Sequence, residues 1–113
     1  RYASAVSIKL MKAGSFARAQ AIAAIAGAAG LPAYGGTMYE GGIALAAGIH
    51  FATATPNLSL GAEFYTANHV MDVEVLTRPL DLSDGASHLP NGPGLGIAVD
   101  RAALAAITEF ERG

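Results

Sequence analysis

Short apolar runs alternate with Ala-rich ones along this chain, and that alternation admits few folds. Residues 3–10 (ASAVSIKL) carry β-branched Val6 and Ile8 and read as a buried strand. The period of two sets Ser7 and Lys9 on one face and Val6, Ile8 and Leu10 on the other. Gly14 breaks the run, and Ser15 is the expected N-cap of a helix over 16–29. Phe16, Ala19, Ile22, Ala26 and Ala29 form an apolar stripe at helical spacing, and Gly30 suits the left-handed position after the last turn. Residues 32–38 (PAYGGTM) form a second strand. A second helix starts near Glu40 and runs to about Thr55, where Pro56 stops it. Residues 59–65 (SLGAEFY) form a third strand carrying Glu63. An order β-α-β-α-β with short joints requires parallel strands and right-handed crossovers, an α/β structure.

The tail differs. Residues 70–76 alternate and read as a strand or a short helix. Short extended pieces follow at 78–82, 86–89 and 96–99, separated by Asp84-Gly85, Pro90-Asn91-Gly92 and Pro93-Gly94 turn signals. Asp100 is positioned to cap a last helix over 101–111.

Composition enters through what it lacks. Of 113 residues only 14% are charged, against roughly 25% in an ordinary domain. Apolar residues reach 52% and mean hydropathy is +0.38. A small independent domain needs more polar surface than this, so the chain is expected to bury itself against protein outside it, as a fragment of something larger. Net charge is −2 with no Lys/Arg cluster, which gives nucleic acid or an anionic membrane no footprint. The absence of Cys excludes disulfides and thiol chemistry. Neither 21–35 nor 41–56 is long and apolar enough to span a bilayer. A soluble, cytoplasmic chain is expected.

In barrel enzymes, catalytic groups stand where strands end, and two such ends here carry charge. Lys9 sits on an apolar strand that poorly accepts an unpaired ammonium. It is either a functional cation or a lysine snorkelling to the strand end. Glu40 is either a carboxylate favoured by the first turn of the second helix or a site acid. Gly35 and Gly36 before it permit close approach by a ligand, or an unusual turn. Glu63 faces the same cavity or pairs with a loop Arg. His50, His69 and His88 have no i, i+3 or i+4 partner and fall in different elements, which argues against a histidine metal site. The glycines at 92–96 do not join a strand to a helix at dinucleotide-loop spacing. Asn57-Leu58-Ser59 matches a glycosylation sequon without an export signal to use it.

Four segments carry a resemblance: Ser7-Ile8-Lys9-Leu10, Tyr34-Gly35-Gly36-Thr37-Met38-Tyr39-Glu40, Leu60-Gly61-Ala62-Glu63-Phe64, and Pro90-Asn91-Gly92-Pro93-Gly94-Leu95-Gly96. Over about residues 4–104 the chain resembles the C-terminal third of the muconate cycloisomerases of the enolase superfamily. The resemblance implies the C-terminal sector of a (β/α)7β TIM-like barrel, strands six to eight, with residues 1–68 in the barrel. Residues 69–113 would be a tail that partly returns to an α+β capping domain. The implied activity interconverts cis,cis-muconate and muconolactone through an enolate, with Mn²⁺ or Mg²⁺, in aromatic catabolism along the β-ketoadipate pathway. The family's Lys-x-Lys pair and its three acidic metal ligands would lie on strands outside this chain. Lys9 matches the sixth-strand lysine, which places positive charge near the substrate and serves as an acid/base in related racemases. Glu40 matches the seventh-strand acid, which hydrogen-bonds the metal-bound carboxylate and would have to be held protonated to do so. Ser7, Gly36, Thr37, Met38 and Glu63 are the implied substrate-binding residues. The implied partners are a small dicarboxylate, the remainder of the same enzyme and further copies in a homo-oligomer. Chloromuconate cycloisomerases, acylamino-acid racemases and succinylbenzoate synthases share the architecture. A small non-enzymatic α/β module is the rival from another class.

Overall fold

The computed structural model describes residues 2–65 and 71–109. The expected boundary between 68 and 69, His69, Val70 and the expected helix end at 110–111 lie outside the described residues. In chain order the elements are β1 (Val6–Lys9), α1 (Leu10–Ala13), α2 (Phe16–Ala28), β2 (Ala33–Gly36), α3 (Gly42–Thr53), β3 (Ala62–Glu63) and α4 (Arg101–Glu109). The three strands lie side by side in the order β1-β2-β3, all parallel. The expected α/β order is therefore the observed one, with strands shorter than their apolar runs.

Each shortening has a local cause. Leu10 leaves the strand for α1, a single turn closed by Gly14, whose N–H donates to the Leu10 carbonyl at 2.7 Å. The Ser15 side chain then accepts from Arg18 N at 3.2 Å, the expected cap of α2, a bond worth about 1 kcal/mol. At the other end Gly30 takes φ +66°, as the spacing predicts. Strand β3 is only two residues long because Leu58, Leu60 and Gly61 fold as a turn, with Gly61 N bonded to the Leu58 carbonyl at 3.0 Å.

The core lies between the sheet and its helices. Ile8, Ala19, Ala23, Ala33, Phe51 and Leu58 form one buried cluster, and Leu45 and Ile49 are fully buried on α3. The stripe on α2 keeps Ala19 and Ala26 of the one its apolar spacing predicts, but not its other members. Ala19, Ala23 and Ala26 face the sheet, while Phe16, Ile22 and Ala29 are exposed. Small side chains let the helix approach the sheet closely, so the larger residues turn outward. Asn57 fastens the same region, donating through Nδ2 to the Ala23 carbonyl at 3.0 Å and the Leu31 carbonyl at 3.4 Å.

Among the described residues the tail, with its expected extended pieces, forms no strand ladder. It is held by an isolated antiparallel bridge, Leu76–Val99, by Thr77 N to the Ala98 carbonyl at 3.0 Å, and by Asp100 N to the Val75 carbonyl at 2.7 Å. His50 on α3 reaches the tail through Nε2, 3.1 Å from the Leu95 carbonyl. Asp100 caps α4 as expected, accepting from Ala102 N and Ala103 N at 2.9 and 3.1 Å. No helix among the described residues is long and apolar enough to cross a membrane.

Candidate active site at the strand ends

The parallel register brings Lys9, Gly36 and Glu63 into one row across the three strands, since Lys9 pairs with Gly36 and Gly36 with Glu63. Paired residues in a parallel ladder point to the same face, here the face turned away from the helices. Lys9 Nζ donates to the Thr37 carbonyl at 2.5 Å and lies 3.5 Å from Glu63 Oε1. The partner of Glu63 is thus Lys9, and not the loop Arg that the sequence left open. The Lys9 side chain is 18% exposed and that of Glu63 47%, so solvent screens the pair and its net worth is about 0–1 kcal/mol. An ion pair this open adds little to the scaffold.

The two adjacent glycines of β2 make no turn; they serve opposite faces. A Cβ at Gly35 would stand 3.3 Å from Leu58 Cδ1 on the helix side. A Cβ at Gly36 would stand 3.3 Å from Lys9 Cε and 3.6 Å from Nζ. The Lys9 side chain therefore crosses the strand next to its own over the space that Gly36 leaves empty. Thr37, 2% exposed, extends the ladder beyond the strand. Its N–H donates to the Glu63 carbonyl at 3.1 Å, and its Oγ1 accepts from Tyr65 N at 3.0 Å. Tyr65 and Tyr39 follow, with ring centroids 5.8 Å apart.

Glu40 does not stand in the first turn of α3. That helix starts at Gly42 with Gly41 as N-cap and has no acidic residue in its first turn. The carboxylate beside this helix start comes from the tail. A Cβ at Gly42 would stand 2.7 Å from Glu74 Oε2 and 2.5 Å from Leu76 Cδ1, and Glu74 Oε1 accepts from Val75 N and Leu76 N at 2.7 and 3.2 Å. The positive end of α3 favours this placement. Nothing local marks Glu74 for it, because the contact spans more than 30 positions of chain. Glu40 is left on the joint, with Oε2 buried and without a hydrogen-bond partner among the described residues. A buried carboxylate oxygen without a donor is costly and suits a group that meets its partner in a ligand.

The structure therefore gathers Lys9, Gly36, Thr37 and Glu63, and leaves the others apart. Ser7 is exposed, one layer below on the Lys9 face and opposite Tyr34. Met38 is half-buried, and Glu40 makes no hydrogen bond to the row among the described residues. Among those residues no three His, Asp or Glu side chains cluster as a metal site. His88 Nε2 meets Ser83 Oγ at 3.4 Å, far in sequence from the row. Two cavities, about 350 Å³ against α3 and about 730 Å³ within the tail, contain none of Lys9, Glu40 and Glu63.

The fold has counterparts in known proteins. Residues 1–103 match the sequence model of the family described as enolase C-terminal domain-like. The chain is 43% identical over 98 residues to muconate cycloisomerase 1-1 of Acinetobacter lwoffii, covering 87% of this chain and 26% of that protein. A solved muconate cycloisomerase from Azorhizobium caulinodans is 50% identical with a TM-score of 0.79, over 91% of this chain and 29% of that one. An enolase from Thermobispora bispora, solved with magnesium and formate, is 33% identical with a TM-score of 0.85, over 96% and 26%. The chain thus spans about a quarter of the length of the curated relative it matches. With its parallel strands, its row at their C-terminal ends and a family match over 1–103, the chain is the C-terminal sector of an α/β barrel and belongs to the enolase C-terminal domain-like family.

Proposed function

We propose that this chain supplies one wall of the active site of a metal-dependent cycloisomerase that interconverts cis,cis-muconate and muconolactone. The observation that carries the reading is the Lys9 ammonium, laid across Gly36 at the open ends of three parallel strands. Its chemistry fits. When one carboxylate of a dienoate adds to the double bond conjugated with the other, a C–O bond forms. The π electrons move onto the second carboxylate, and a proton then joins the carbon beside it. Negative charge grows at a fixed place, and a cation already in position stabilises it without reorganising. Lys9 takes that role, and Glu40, with its free buried oxygen, faces the same charge as a hydrogen-bonding acid. Ser7, Gly36, Thr37, Met38 and Glu63 line this wall.

The proton-transferring lysine and the ligands of a divalent cation belong to residues outside this chain. The cation, Mn²⁺ or Mg²⁺, would supply further positive charge; the magnesium in the Thermobispora bispora structure supports a divalent ion in general. Residues 1–68 belong to the barrel and 69–113 to a tail partly shared with a capping domain, and the whole acts as a homo-oligomer in aromatic catabolism. Muconate is preferred to its chlorinated analogues because the 43% and 50% identical relatives carry that name.

The test is turnover of cis,cis-muconate by the full-length protein with Mn²⁺ or Mg²⁺, followed as absorbance loss of the diene. Lys9→Ala is expected to lower kcat by at least about 10²-fold while calorimetry shows divalent-ion binding unchanged. Near-normal turnover by Lys9→Ala removes Lys9 from the site.

A further inference from the structure

Glu63 stands within reach of the proposed substrate wall, but its contacts point to Lys9. We propose that Glu63 is a positioning residue that acts through Lys9. With the Thr37 carbonyl, it fixes the Lys9 ammonium over Gly36 as a standing cation for an anionic ligand group. The inference rests on the site reading above and refines the part played by Glu63.

Three observations carry it. An ammonium has three donors, and the described contacts use two of them, toward the Thr37 carbonyl at 2.5 Å and Glu63 Oε1 at 3.5 Å. One donor is left for a ligand on the open face. Both anchors are also tied to each other, because Thr37 N donates to the Glu63 carbonyl at 3.1 Å. Thr37 is buried and further held by Tyr65 N on its Oγ1 at 3.0 Å. The two acceptors of Lys9 thus belong to one braced unit at the ends of β2 and β3. Finally, Gly36 leaves room for Lys9 to lie against the strand on its way to that unit, since a Cβ there would lie 3.3 Å from Cε and 3.6 Å from Cγ and Nζ.

Charge decides between this role and direct substrate binding. A dicarboxylate placed against Glu63 would set like charges together, whereas Glu63 beside Lys9 needs no substrate contact at all. An ammonium with an anionic and a neutral oxygen partner keeps its charge and its place, the two properties a fixed electrostatic group requires.

The experiment uses the full-length protein with Glu63→Ala and Glu63→Gln, and two readouts. The first is the kcat and KM split with cis,cis-muconate and a saturating divalent cation. The second needs no activity: competitive acetylation of Lys9 by acetic anhydride, read by peptide mass spectrometry. Glu63→Ala is expected to lower kcat by up to about 10²-fold, as misplacement of a catalytic group does, with KM nearly unchanged and Lys9 acetylation raised several-fold. Glu63→Gln keeps an oxygen acceptor and is expected to recover most of kcat and return Lys9 labelling toward that of the unaltered protein. A KM rise with kcat intact, or Lys9 labelling indifferent to both substitutions, overturns the inference. If the unaltered protein does not turn over muconate, the substrate reading fails and the labelling alone decides the link between Glu63 and Lys9. If Glu63→Ala does not fold, Glu63→Ser, whose side chain is too short to reach Lys9, takes its place: Lys9 labelling raised above the unaltered protein supports the link, and labelling equal to it overturns the inference.

Discussion

Gly36 is a residue whose importance lies in an atom it does not have. Alanine there puts a Cβ 3.3 Å from Lys9 Cε, closer than ordinary carbon contacts, and the lysine must give by a few tenths of an ångström. Gly36→Ala is expected to lower kcat about tenfold or more, within the range of 10²-fold that a 1 Å misplacement costs, with little change in melting temperature. Steady-state kinetics beside a thermal melt of the full-length protein checks it; equal losses in both would mark Gly36 as a folding residue alone. Gly35 makes the contrast, since its missing Cβ accommodates Leu58 on the other face. The pair Gly35-Gly36 was legible as a place of close approach. Which glycine served which face was not, because that depends on strand register.

Among the elements, α3 shows how a helix start is completed from a distance. Its N-cap, Gly41, offers no side chain, and Glu74 and Leu76 of the tail close over Gly42 instead. Gly42→Ala sets a Cβ 2.5 Å from Leu76 Cδ1 and 2.8 Å from Leu76 Cγ, and such overpacking costs about 1–3 kcal/mol. A urea titration of the full-length protein is expected to show that loss, with faster hydrogen exchange across residues 71–77. The tail loop around Asp81 has its own pH dependence. The Ser83 hydroxyl and backbone N–H, and then the charge of nearby His88, hold the Asp81 carboxyl below its usual 3.8. A carboxyl whose pKa is depressed by folding stabilises above its unfolded value and loses that contribution as pH falls through the folded one. The urea midpoint of the unaltered protein should therefore exceed that of Asp81→Asn at pH 6, and the difference should shrink below about pH 3.8. A difference that persists unchanged at pH 2 would sink this assignment.

At the scale of the whole molecule, apolar surface is the governing fact. Ile22, Ile25, Ile43 and Leu60 are exposed at 39, 71, 40 and 57%, and β1 and β3 each present an outer edge without a strand partner among the described residues. Open edges of this kind invite pairing with other chains. The polypeptide 1–113 made alone is therefore expected to aggregate or to melt without cooperativity, in calorimetry and in near-ultraviolet circular dichroism. A sharp, reversible transition of the monomer would instead favour a self-sufficient module.

The strand-helix alternation, the Ser15 and Asp100 caps, the left-handed Gly30 and the charged strand ends were all decided by the sequence, because each depends on spacing or on one residue's own backbone preferences. The motifs around Lys9 and Glu40 were enough to indicate the family. Tertiary structure alone decided that Lys9 reaches across Gly36 to Thr37 and Glu63, that alanines rather than Phe16 and Ile22 pack α2 on the sheet, and that Glu74 takes the helix start expected of Glu40. Those outcomes follow from register and close packing between segments up to 54 residues apart, and no local preference encodes which side chains will meet.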